Sequence, residues 1–233
     1  MGMDIDHLVR GRRHFILSGA GLGTAFGAGF GAGFGMTASA AQEKTLLVVG
    51  DSLSAEYGLT RGTGWVALLA QRLQAEKLPF KVVNASISGD TTSGGRSRLA
   101  TLLAQHKPVV VVIELGGNDA LRGLPLPMTE DNLKAMAQAS TAVGAKVLLV
   151  GMQVPPNYGA DYGRRFAGMF EQVAQAQKPH PAALVPFLLK GIADDPNPTR
   201  WFQADQIHPL ATAHPRLLDN VWPTLRKLLK GAP

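Results

Sequence analysis

The stretch PVVVVIEL, Pro108 to Leu115, constrains this chain more than any other. Its β-branched residues fit a pleated surface and lose side-chain freedom in a helix. No polar residue alternates with them, so the strand they predict is buried on both faces. Such a strand belongs in the middle of a parallel sheet covered by helices above and below. The rest of the sequence supplies both partners. Thr45–Val49, Phe80–Asn84 and Lys146–Val150 read as further strands, and Ala182–Phe187 as a weaker fifth. Gly64–Glu76 places Val66, Leu69, Ala70 and Leu73 at helical spacing. Gly94–His106, Thr129–Val143, Asp161–Gln177 and Pro209–Leu229 also read as helices. Thr129 is expected to cap its helix, with Glu130 and Asp131 in the first turn. Pro223 is expected to kink the last one. Strands alternating with helices predict an α/β fold, a five-stranded parallel sheet between two helical layers, in one domain over residues 41–233.

The first forty residues are built differently. MGMDIDHLVRGRR is polar and ends on Arg12-Arg13, and His14 to Gln42 contains no Asp, Glu, Lys or Arg. This run includes the repeat FGAGFGAGFG and closes on TASAAQ, Thr37 to Gln42. A charged start, an apolar middle and small residues that fit A-x-A cleavage make an export signal. RRHFIL, Arg12 to Leu17, resembles the twin-arginine motif. Residues 1–40 are therefore expected to engage the twin-arginine export machinery. Cleavage is expected after Ala40 or Ala41, with a periplasmic or secreted mature protein. The other reading is a membrane helix, since the uncharged run is long enough to span a bilayer. Its glycine content makes it a poor helix, so no stable membrane insertion of the mature form is expected.

The composition narrows the chemistry. The chain has no cysteine, which excludes disulfides, thiolate nucleophiles and Cys-ligated metals. The net charge is +6, but Lys and Arg are scattered among acids with no interleaved aromatics. A nucleic-acid partner is not expected. No histidine pair has a spacing such as H-E-x-x-H, so no metal is expected.

In open parallel sheets, ligands gather beyond the carboxyl ends of the strands. After the first strand comes Gly50-Asp51-Ser52-Leu53, and after the second Ala85-Ser86-Ile87-Ser88-Gly89-Asp90-Thr91. After the third comes Gly116-Gly117-Asn118-Asp119, and before the last helix Asp205-Gln206-Ile207-His208-Pro209. A serine esterase needs a hydroxyl, a base, a carboxylate to orient the base, and donors for an oxyanion. Ser52 can supply the hydroxyl and His208 the base. Asp205 can reach the other ring nitrogen if its loop turns back on itself. Asn118 offers a side-chain amide and Gly89 an unobstructed backbone N–H. Among the other mature histidines, His106 and His180 fall on the strand-entrance side, and His214 lies in the last helix without an acid just before it. Each segment also reads as ordinary turn or helix-entry sequence, and both readings stay open at this level.

Together the four segments resemble the SGNH (GDSL) hydrolase superfamily. GDSLS (Gly50–Ser54), NASISGDTT (Asn84–Thr92), GGND (Gly116–Asp119) and DQIHP (Asp205–Pro209) look like its four blocks, in order. LVVGDSLSAEYGL, VVNASISGDTTSGGRSRL, ELGGNDALRGLP and PPNYGADYGRRF resemble its bacterial thioesterase I / lysophospholipase L1 / arylesterase branch. The resemblance implies a flavodoxin-like three-layer sandwich and hydrolysis of small-molecule acyl esters or thioesters without a cofactor. It implies Ser52 as nucleophile, His208 as base and Asp205 as its orienting acid. It also implies an oxyanion hole from Gly89, Asn118 and the Ser52 backbone N–H. Asp51 is expected to brace the turn. Asp194 and Asp195 are rival acids, in the poorly patterned stretch Lys190–Ala204. An acyl pocket is expected between the loops Leu121–Pro127 and Gln153–Tyr162, with Leu121, Leu124, Leu126, Pro155 and Tyr158 as its apolar lining. Surface packing of those loops is the alternative. Two other functions remain beside the esterase: a carbohydrate O-deacetylase of the same superfamily, and a non-catalytic periplasmic binding module.

Overall fold

In the computed structural model the apolar runs pair into one sheet. Residues 43–232 are described, and the expected export signal and its cleavage site lie outside them. The strands are β1 (Lys44–Gly50), β2 (Phe80–Asn84), β3 (Val110–Glu114), β4 (Lys146–Val150) and β5 (Ala183–Val185). They lie in the order β2-β1-β3-β4-β5, and every pairing is parallel. That is the strand order of a flavodoxin-like doubly wound sheet. β3 is buried along its whole length, as its unbroken apolar run requires.

Among the described residues there are six α-helices, and the five longer ones cover the two faces. α1 (Trp65–Ala75) packs with α6 (His214–Lys230). α4 (Leu126–Ala142) packs with both α2 (Thr92–His106) and α5 (Ala160–Ala176). α3 (Gly117–Leu121) is a short helix directly after β3. Trp65, Leu69 and Leu73 of α1, Phe166 and Phe170 of α5 and Met136 of α4 are fully buried. Among the described residues no helix is long and apolar enough to cross a membrane.

Three expectations need correction. α4 starts at Leu126, with a proline in its first turn, where the missing amide hydrogen costs nothing. Thr129 therefore lies inside the helix, buried, and donates its hydroxyl to Asp119 Oδ1 at 3.2 Å instead of capping. α6 starts at His214, not Pro209. Pro209 instead forms an antiparallel bridge with Phe202, followed by a single 3₁₀ turn at Ala211–Ala213. α2 starts at Thr92, with the Thr91 hydroxyl accepting the Gly94 N–H at 3.3 Å.

Candidate active site

β1 ends at Gly50 because a side chain there has no room. A Cβ would stand 2.8 Å from Ser54 Oγ and 2.9 Å from Glu114 Oε2. The chain then turns sharply: the N–H groups of Ser54 and Ala55 both return to the Asp51 carbonyl. The buried Asp51 side chain closes the turn by accepting the Leu53 N–H at 3.0 Å, as expected of it. Between them Ser52 is half-buried and faces a cleft.

The loop after β2 runs along the end of β1, with the Ile87 N–H bonded to the Gly50 carbonyl. Arg122 donates to the Gly89 carbonyl at 2.7 Å, and Arg98 pairs with Asp90 at 2.8 Å. The first contact ties the loop carrying Gly89 to the segment after β3, and the second ties it to α2. That segment enters α3 through Gly116, whose φ of 116° lies where only glycine is at ease. Asn118 follows, and its Nδ2 donates to Asp51 Oδ2 at 3.0 Å. Asp119 is buried beneath, accepting from the Thr92 N–H and from the hydroxyls of Thr92 and Thr129.

The last loop does turn back on itself. Gln206 takes a left-handed φ of 58°. Asp205 Oδ1 accepts the N–H groups of Ile207 and His208 at 2.9 and 3.0 Å. Its Oδ2 then lies 2.7 Å from His208 Nδ1, and His208 Nε2 lies 2.8 Å from Ser52 Oγ. The backbone N–H of His208, followed by its ring, holds the Asp205 carboxyl down at about 2. An ionised carboxylate only accepts hydrogen bonds, so Nδ1 carries the ring proton and Nε2 is left to accept one from Ser52. The Tyr57 ring lies across the imidazole, centroids 4.3 Å apart. No sequence signal marked Tyr57: only the turn from Ser52 to Gly58 brings it there.

The other candidates are occupied elsewhere. Asp194 lines the same cleft as Ser52, but its carboxyl accepts the Gly191 N–H, and Asp195 is held by Arg200 and Trp201. His214 is buried and accepts the Trp65 N–H on Nδ1 at 3.0 Å. Ser54 donates to the buried Glu114 at 2.7 Å and accepts from Trp65 Nε1 at 3.2 Å. Burial, with Asp51 close by, pushes the Glu114 carboxyl well above the usual range. Burial also lifts Asp51 to about 6, against the bonds from Leu53 and Asn118 that favour its charge.

Ser52, Asn118 and His208 open on a cleft of about 710 Å³. Its apolar walls include Leu121, Met152, Val154, Pro155, Phe187 and Ile207. Of the anticipated lining, Leu121 and Pro155 are there. Leu124, Leu126 and Tyr158 are not part of it. The Leu124 amide closes a turn onto the Asp119 carbonyl, Leu126 starts α4, and Tyr158 packs beside Tyr162. In their place stand Ala193, Pro198 and Phe202, from the stretch without a sequence pattern.

This arrangement has close counterparts. Residues 48–216 match the model of the GDSL-like lipase/acylhydrolase family. Esterase TesA of Pseudomonas aeruginosa is 54% identical over 189 residues, covering 81% of this chain and 91% of that protein. Thioesterase 1/protease 1/lysophospholipase L1 of Escherichia coli K12 is 40% identical over 194 residues, 83% of this chain and 89% of that protein. The crystal structure of the psychrotrophic esterase EstA from Pseudoalteromonas sp., inhibited by monoethylphosphonate, superposes with a TM-score of 0.73 at 38% identity. That match covers 81% of this chain and all of EstA. The chain belongs to the GDSL-like lipase/acylhydrolase family.

Proposed function

We propose that this esterase hydrolyses acyl esters or thioesters through an acyl-enzyme on Ser52. The observation that carries the reading is the unbroken line Asp205–His208–Ser52, opening on an apolar cleft. Ser52 Oγ attacks the substrate carbonyl carbon while His208 Nε2 takes its proton. Asp205 holds the Nδ1 proton and offsets the charge that forms on the ring. The oxyanion receives hydrogen bonds from the Asn118 side chain and from the backbone N–H groups of Gly89 and Ser52. Collapse expels the alcohol or thiol, which leaves with the proton from His208. Water, deprotonated by the same imidazole, then attacks the acyl-enzyme, releases the acid and restores Ser52. The relatives named esterase and thioesterase/lysophospholipase support both kinds of leaving group.

A fluorophosphonate should label the protein at Ser52. Ser52→Ala should abolish labelling and lower kcat on the order of 10⁶-fold with the fold intact, because the catalytic group acts as a unit. Labelling at Ser86 or Ser88 instead would reject the assignment. The twin-arginine pattern at Arg12-Arg13 and the small residues before Gln42 support export to the periplasm or beyond. N-terminal sequencing of the exported protein, expected to begin at residue 41 or 42, checks that reading; an intact Met1 would refute it.

A further inference from the structure

We propose that Asp51 is the positioning residue that fixes the Asn118 amide in the orientation the oxyanion requires. This rests on the proposed role of Asn118. Asn118 stands on α3, a helix of only five residues, and a free asparagine amide can present either end to the cleft. A carbonyl oxygen turned toward the oxyanion would repel it, whereas an N–H would stabilise it. Asp51 Oδ2 lies 3.0 Å from Asn118 Nδ2. An ionised carboxylate only accepts, so it admits the nitrogen and rejects the oxygen. One N–H is taken by Asp51, and the second proton on the same planar nitrogen is left for the substrate.

The other carboxylate oxygen holds the Leu53 N–H at 3.0 Å. A single buried side chain thus links the turn that displays Ser52 to the group that meets the oxyanion. The charged or titratable groups around Asp51 are Glu114 beneath it, His208 across the cleft and Asp90 on the neighbouring loop. Burial raises its carboxyl to about 6. The native state therefore binds this proton more tightly than the unfolded chain does. The stability Asp51 contributes is full at low pH and is lost as pH rises through about 6. Above that pH the carboxylate is charged at a cost to the fold, which the bonds from Leu53 and Asn118 partly offset.

The two roles separate in Asp51→Asn. An asparagine there has one acceptor oxygen and cannot serve both Leu53 and Asn118. With that oxygen on Leu53, two NH₂ groups face each other and the Asn118 amide turns over. The expected result is a kcat lowered by about 10²–10³-fold, as for Asn118→Ala, with KM little changed. The double variant should be no slower than Asn118→Ala alone, since both changes remove one interaction. The Tm at pH 8 should be unchanged or higher. An unchanged kcat in Asp51→Asn, or rate losses that multiply in the double variant, would overturn the proposal. Full kcat in Asn118→Ala would instead remove the oxyanion role on which it rests. NMR of the wild-type protein tests the contact without a variant. One Asn118 side-chain amide proton should lie downfield of its partner and exchange slowly, and free exchange of both would overturn the proposal.

Discussion

Asp205 is an exposed side chain with the bonding of a buried one. Two backbone N–H groups and the imidazole saturate it and hold its carboxyl near 2. It is therefore ionised well below neutral pH, and it offsets the charge that forms on the imidazole as Ser52 gives up its proton. Activity needs that imidazole neutral, so that Nε2 can take the Ser52 proton. Asp205→Asn removes both the orientation of the ring and the charge behind it. It should lower kcat by up to about 10⁴-fold. Asp194→Asn should leave kcat unchanged. Measuring kcat on the three proteins decides this; an unchanged kcat in Asp205→Asn with a lowered one in Asp194→Asn would transfer the role. The pair was legible in the sequence because three-residue spacing closed by an Asx turn leaves a local mark, D-x-x-H. The Tyr57 ring on His208 and the Asp51–Asn118 bond were not, because each joins positions set by tertiary geometry.

At the scale of elements, every strand was readable in place: β2 and β4 to the residue and β1 to within one, while β3 and β5 are shorter than their apolar runs. Apolar β-branched runs between glycine, proline and charge leave little freedom in where a strand begins. Helix starts were less legible. Pro125 and Pro127 hid the entry to α4, because an internal threonine followed by acids imitates a cap. α3 is shorter than two turns, so periodicity had nothing to register. At α6 the start falls on His214, whose ring receives the first amide of α1 and so fastens the two helices on that face. Burial lowers this histidine from 6.5 to about 4. A depressed folded value means stability that is present above about 6.5 and lost as pH falls through about 4. Over that interval the loss amounts to about 3 kcal/mol, at about 1.4 kcal/mol per pKa unit. His214→Gln should lower stability at pH 7 yet lose less on acidification, while leaving the pH–rate profile alone. Asp51 and Glu114 titrate in the opposite sense, so the quantity to compare is wild type minus variant. Urea unfolding at pH 7 and pH 4.5 supplies it; equal differences at the two pH values would contradict the coupling.

On the scale of the whole molecule, strand order places the chemistry. In the order β2-β1-β3-β4-β5 the connections diverge between β1 and β3, and ligands sit at such switch points. Ser52 follows β1 and Asn118 follows β3, so that half of the site could be read from topology and motif. The acyl wall could be read only in part, through Leu121, Pro155 and the loop after β4. Met152 and Val154 come after β4, Phe187 after β5, and Phe202 from a stretch with no repeat of apolar spacing. Their apolar surface sets the last prediction. Each methylene buried in such a cleft is worth about 0.8 kcal/mol. If that gain is realised in the transition state, kcat/KM should climb about fourfold per added methylene until the cleft is filled. Leu121→Asp and Phe187→Asp should flatten this climb while sparing an acetyl ester, which reaches only Ser52 and the oxyanion donors. Leu124→Ala and Tyr158→Ala, outside the lining, should leave the profile as it is. The measurement is kcat/KM across thioesters and aryl esters of increasing acyl length, beside an acetylated sugar. A flat profile with the acetylated sugar preferred would assign the cleft to the sugar instead and make the enzyme an O-deacetylase.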